Sequence, residues 1–371
     1  MIPVEEFEAA GLLIDGGPDR LELLRWLESM GLDIDDMRAG AAAHSLSSTA
    51  GDRRLVPGER LSRAEAIQRC GLDPDRFDAY SRAIGLVPII GAPDGEVGYT
   101  AEEAAVLTDL GTLAAVFSHD EALSLVRVLG SSLGRIGEAA VSLFLADVES
   151  PHISAGESEL GLAKKVYEGV GLLDGFTARL DPLLRRHVLQ AITRTRQAAA
   201  DDQRLLLRFA VGFVDLVGFT EHSHGMPVEQ LTAFIRDFEG RANDIAVACG
   251  ARLVKLIGDE AMFIATDPTA ACRTAAALTE VFDDDGHDVL PRGGVAFGGV
   301  LTRGGDYYGS VVNLASRLVD EAVPQEVLVT GEVVESALTC DFEPAGRRMV
   351  KGFPDPVTVW SLRSATSPPR S

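Results

Sequence analysis

Two spacings of apolar residues divide the chain near residue 200. Upstream, apolar side chains recur every three or four positions. Between 119 and 148, Val126, Leu129, Leu133, Ile136, Ala140 and Leu143 alternate steps of three and four, which predicts one apolar helix face starting at Ser118-His119-Asp120. From 178 to 205, Leu184, Val188 and Ile192 step by four before two polar turns, predicting a long connecting helix. Residues 1–200 read as all-helical, with amphipathic faces suited to packing on one another or across a dimer.

Downstream of 206 the period shortens. FAVGFVDLV (209–217) predicts a buried strand ending in a Gly-Phe-Thr turn, and 228–249 a helix opened by Pro227 and closed by Gly250. RLVKLIGDEAMFIA (252–265) reads as two short strands joined at Gly258-Asp259. A helix over 268–282, a Gly-rich strand over 292–301, a helix over 309–321 and a strand over 326–330 follow. This alternation predicts an α+β sandwich, one sheet covered by helices. The expected organisation is an all-helical domain over 1–197, an α+β domain over 198–363 and a disordered tail over 364–371.

Composition narrows the function. With 46% hydrophobic and 24% charged residues, disorder, collagen and a disulfide scaffold are excluded. The net charge of −22 opposes a nucleic-acid footprint and docking on an anionic membrane, so no nucleic-acid partner is expected. Cys70, Cys249, Cys272 and Cys340 form no CxxC pair, which fits a reducing cytoplasm and no zinc site. MIPVEEFEAA is acidic where a signal peptide is basic, and no run of about 18 apolar residues predicts a transmembrane segment. The segment 61–86 has a helix-turn-helix pattern with Gly71 in its turn. Its four arginines face four acids, so a helix hairpin packed in a larger helical domain is favoured over phosphate contact.

Several residues stand out against this background. Asp215 interrupts an apolar strand, and Asp259 sits in the turn of an apolar hairpin. A carboxylate in a buried strand is costly unless paired or metal-bound, and two converging carboxylates suit Mg²⁺ or Mn²⁺. For Asp259 alone, an ordinary Gly-Asp turn is the simpler reading. The only lysines are Lys164, Lys165, Lys255 and Lys351, and Lys255 lies in an apolar strand, either as a snorkelling side chain or as a functional one. Asn313 and Arg317, spaced i, i+4, share a helix face. Asp306 lies in the Gly-rich GGDYYGSVVN loop, which leads into that helix without a Walker or GxGxxG motif. The DDDGHD stretch (283–288) reads as a solvated loop.

Taken in order, FVDLVGFT, KLIGDEAMF and GDYYGSVVNLASRL closely resemble the class III nucleotide cyclases over about 206–363. The resemblance implies a ferredoxin-like catalytic domain that turns ATP into 3′,5′-cyclic AMP and pyrophosphate. It implies that Asp215, Asp259 and the Leu216 carbonyl hold two divalent ions, Mg²⁺ or Mn²⁺. Lys255 and Asp306 match the pair that reads adenine N1 and the 6-amino group, where guanylyl cyclases typically carry Glu and Cys. Asn313 would orient the ribose, and Arg317 would stabilise charge at the α-phosphate. Lys351 and Arg292 match triphosphate contacts, and Phe219 falls among the substrate contacts. In the family one subunit supplies the aspartates and its partner the Lys, Asp, Asn and Arg, so a homodimer with two sites is implied.

The helical N-half followed by a cyclase is similar to soluble mycobacterial adenylyl cyclases with an autoinhibitory, pH-responsive N-terminal regulatory domain. His187, beside Arg185 and Arg186 in the connecting helix, is the candidate regulatory residue. His222 and His224, just past the Asp215 turn, are weaker ones. Two alternatives stand beside this reading. A transcription regulator that only senses nucleotide is opposed by the intact metal and transition-state residues; a guanylyl cyclase is opposed by Lys255 and Asp306.

Overall fold

The structure, a computed structural model, describes residues 1–13, 17–58, 60–86, 98–177, 179–199, 206–219, 224–283 and 290–365. The chain divides into two compact units, Met1–Arg185 and Arg186–Ser371.

In the first unit, two apolar clusters organise short helices. Phe7, Leu23, Leu24, Leu27 and Met37 pack with Ala163 of the helix Glu159–Thr177. Ala66, Cys70, Phe77 and Tyr80 pack with Leu107 and Val126. Both halves of the 61–86 pattern feed this second cluster. The helix Arg63–Cys70 is opened by a Ser62–Glu65 capping box, and Pro74–Ile84 by Asp73. Arg63 forks onto Asp78 at 2.8 and 2.9 Å, so one of the four arginines is spent inside the hairpin.

The 119–148 pattern forms the helix His119–Phe144, with Ser118 accepting from the Glu121 amide. A π-type stretch, Leu145–Glu149, carries it into Ser150–Ser154. Only the first part of its apolar face is covered: Val126 is buried, while Leu133, Ile136 and Leu143 are each more than half exposed. One helix bears on the expectation that no transmembrane segment is present. Among the described residues His119–Ser154 is long and apolar enough by length and composition to cross a membrane, because few charges interrupt it even though no uninterrupted apolar run exists.

The second unit is built on an eight-stranded sheet. Its path is β2 (Arg252–Ile257), β3 (Glu260–Ala265), β1 (Leu207–Val217), β4 (Leu290–Arg303), β6 (Val327–Thr330), β8 (Val357–Ala365) and β7 (Cys340–Arg348), with β5 (Asp306–Tyr308) paired to β4. β1 is antiparallel to β3 and β4, whereas β4 and β6 run parallel. The period of two sorts β1 onto two cores. Ala210 and Val214 face Phe238 and Ala242 of the helix Val228–Ala248 and Ala271 and Ala275 of the helix Pro268–Asp283. Phe209, Val211 and Phe213 face Ala315 and Val319 of the helix Ser310–Glu321. That helix lies close on β4 because a Cβ at Gly294 would collide with the Ala315 carbonyl oxygen.

Three differences from the sequence reading follow from the sheet. The connecting helix spans Asp181–Ala198 among the described residues, and Leu184, Val188 and Ile192 are all exposed. β5, β7 and the helix Gly331–Ser336 went unread. β8 includes Ser364 and Ala365, which pair with Asp341 and Cys340, so the tail does not begin at 364; its remaining residues lie outside the described ones. The DDDGHD loop, apart from Asp283 in its helix, and His222 lie outside them as well.

Candidate active site

Register places charge around Asp215. It is the residue after Val214 on β1, directly opposite Glu260 of β3 on one side and Arg292 of β4 on the other. Arg292 Nε and Nη2 donate to Asp215 Oδ2 at 3.3 and 3.2 Å, and its Nη1 donates to the Asp320 carbonyl at 3.3 Å. Asp259 occupies the β2–β3 turn beside Gly258, whose φ of 66° suits glycine. Burial raises the Asp215 carboxyl above the usual range, the Asp259 charge adds to this, and Arg292 opposes it. Glu260 is pushed up to about 7 by burial and by the charges of Asp215, Asp320 and Asp259.

Glu260 and Asp320 were not singled out from sequence. The available signal for Glu260 was an acid at the head of the apolar EAMFIA strand, one residue past Asp259. Arg317 Nη1 donates to Asp320 Oδ2 at 3.0 Å, an i, i+3 pair on one helix. These acids are met by two guanidinia, Arg292 on Asp215 and Arg317 on Asp320, and offer hard oxygen donors of the kind divalent cations prefer. Among the described residues no three His, Cys, Asp or Glu side chains are gathered as a closed metal cluster.

A second cluster forms on β2 and β5. Lys255 Nζ donates to Asp306 Oδ2, and the Tyr307 amide donates to Asp306 Oδ1 at 2.9 Å. Burial would raise the Asp306 carboxyl, but the Lys255 hydrogen bond, the Tyr307 amide and the charges of Lys255 and Arg252 outweigh it and hold the group low. Asp306 is therefore an acceptor and Lys255 a donor, side by side. A register shift between Leu253 and Lys255 accompanies this placement of the lysine.

The other candidates do not join these clusters. Asn313 is exposed one turn before Arg317, and Lys351 is exposed. Phe219 stacks on Phe234, with ring centroids 4.9 Å apart and planes at 22°, and leans on the core. His187 borders a cavity whose wall includes Asp306.

Comparison with known proteins completes the description. Residues 9–194 match the adenylate cyclase regulatory domain, and 289–364 match the adenylate and guanylate cyclase catalytic domain. An adenylate cyclase of Streptomyces coelicolor is 32% identical over 298 residues, covering 79% of this chain and 74% of its own. A pH-sensitive adenylate cyclase of Mycobacterium tuberculosis is 29% identical over 367 residues, covering 93% and 88%. An uncharacterized protein of that organism is 29% identical over 359 residues, covering 96% and 93%. The catalytic match begins after Asp215, Lys255 and Asp259.

Proposed function

The chain belongs to the adenylate cyclase family, and we propose that it forms 3′,5′-cyclic AMP and pyrophosphate from ATP at two sites, each shared between two copies of the chain. The observation that carries this reading is the Lys255–Asp306 pair. A cation that donates and a carboxylate that accepts, fixed side by side, match the N1 acceptor and 6-amino donor of adenine. Guanine presents the opposite pattern at those positions.

Asp215, Asp259 and the Leu216 carbonyl would hold two divalent ions, Mg²⁺ or Mn²⁺, which when bound supply acidity to the ribose 3′-hydroxyl and charge for the triphosphate. The chain's own residues do the rest by position. Arg292 holds the Asp215 carboxylate through two donors to one oxygen. A triphosphate contact by Arg292 requires it to share its guanidinium with that carboxylate. Asn313 orients the ribose. Arg317 meets charge growing at the α-phosphate, for which it exchanges Asp320. Lys351 contacts the triphosphate, and Phe219 supports the nucleotide side of the site. No side-chain base is needed, since orientation and electrostatics carry the step.

Regulation belongs to the N-terminal unit. The regulatory-domain match and the pH-sensitive relative support pH control, with His187 as the sensing residue in the helix that contains the boundary between the units. The four unbridged cysteines support a cytoplasmic enzyme.

The test is direct. The full chain is incubated with ATP or GTP and Mg²⁺ or Mn²⁺, and cyclic nucleotide is quantified. Cyclic AMP from ATP is expected. Cyclic GMP as the main product would overturn the base assignment, and no product from either nucleotide would overturn the enzymatic reading.

A further inference from the structure

Within Arg186–Ser371 a cavity of about 540 Å³ opens between the connecting helix and the β4–β5 turn. None of its lining residues belongs to the Asp215 cluster. Three arginines on three separate elements reach it: Arg194 from the connecting helix, Arg252 from β2 and Arg303 from the end of β4. In a chain with 34 basic residues against 56 acids this is a local excess of positive charge.

The arginines are not neutralised in the ordinary way. Among the described residues none of the three forms an ion pair with a carboxylate. The one acid in the lining, Asp306, is bonded by Lys255 and the Tyr307 amide, and the Arg252 charge also acts on it. Arg252 Nη1 donates to the Tyr307 hydroxyl at 3.2 Å, which orients the guanidinium and leaves the hydroxyl proton able to donate. Burial, and then the charge of Arg252, lower the Arg194 guanidinium from its usual value, so two like charges are held against each other. Such an arrangement is costly by itself and favourable once an anion enters.

We propose that this cavity binds an organic phosphate monoester, with Arg194, Arg252 and Arg303 on the phosphate and an apolar body against Val188, Leu207 and Phe209. The shape of the cluster selects phosphate. A carboxylate has two oxygens in one plane, which a single guanidinium fork satisfies. A tetrahedral phosphate offers three terminal oxygens, which suits guanidinium donors carried on three separate elements. The volume lies within the range of small-molecule pockets, about 300–1,000 Å³, and the apolar wall gives a bare inorganic ion nothing to contact.

Binding here has a route to the base-reading pair. Tyr307 accepts from Arg252 through its hydroxyl and donates to Asp306 through its amide, so an anion that draws Arg252 acts one residue from Asp306. That consequence rests on the role proposed for Asp306, whereas the binding does not.

The experiment therefore measures binding without nucleotide, by calorimetry on the full chain. The probes are phenyl phosphate, benzoate and inorganic phosphate. Phenyl phosphate should fill one saturable site per chain, with benzoate and inorganic phosphate at least tenfold weaker. Arg194→Gln and Arg303→Gln, on different elements, should each weaken phenyl phosphate at least tenfold while melting with the wild type. Arg186→Gln, outside the lining, and Arg317→Ala, at the proposed nucleotide site, should leave binding unchanged. Absent saturation, equal affinity for benzoate, insensitivity to both Gln variants, or loss of binding in Arg317→Ala would each overturn the proposal.

Discussion

Asp215 shows how far a single residue can be read. An acid inside FAVGFVDLV is conspicuous because the strand around it is buried on both faces, and that alone marked it. Asp215→Ala should reduce turnover by about a hundredfold or more, as for loss of an electrostatic element of a transition-state site, while folding is kept. Circular dichroism and a cyclic AMP assay check it, and substantial activity in the folded variant would remove the metal assignment. The neighbour opposite was not conspicuous. Glu260 looks like an ordinary strand opening, and only the register, which sequence does not reveal, sets it against Asp215. Its raised value, about 7 against the ordinary 4.5, has a definite sign. Between those two values the folded state holds a proton that the unfolded chain has lost, so Glu260 makes stability fall as pH rises through this window. Glu260→Gln should flatten that fall, so that its melting temperature relative to wild type is higher at pH 8 than at pH 5. A parallel pH–stability curve in the variant would show that Glu260 is not buried among charges. The base-reading pair has its own test. Lys255→Glu with Asp306→Cys should weaken ATP use more than GTP use, and unchanged ATP kinetics would show that these side chains do not read the base.

At the scale of elements, periodicity performed well where one face is buried and poorly at edges. β1, β2, β3 and the helix Ser310–Glu321 were legible because their apolar positions repeat with a clear period. β7 was not. CDFEPAGRR is largely polar, lies at the sheet edge and shifts register near Pro344, so neither alternation nor composition marks it. β5 has three residues, too few for any period. In the helical half, spacing found the helix His119–Phe144 but not what covers it, since periodicity reports an apolar face and not its partner. The connecting helix carries the regulatory prediction. His187 borders a cavity that also holds Arg194, Arg252, Arg303 and Asp306. Wild type should be more active at acidic pH, and His187→Ala should flatten the activity profile. Identical profiles would eliminate His187 as the sensor.

For the whole molecule, the proposal to test is that each site is shared between two copies. Among the described residues Lys255 and Asp306 share no hydrogen bond with Asp215, Asp259, Glu260 or Arg292. If each active site takes its aspartates from one copy and its Lys, Asp, Asn and Arg from the other, defects on opposite sides must complement. Asp215→Ala and Arg317→Ala homodimers each carry two broken sites. A mixed dimer carries both defects in one site and none in the other. Random mixing makes about half of all dimers mixed, each with one of two sites intact, so coexpression should restore roughly a quarter of wild-type activity. A site complete within one copy has no means of recovering from two inactive parents. Mixed dimers isolated with two different affinity tags, and still inactive, would show that each copy catalyses alone.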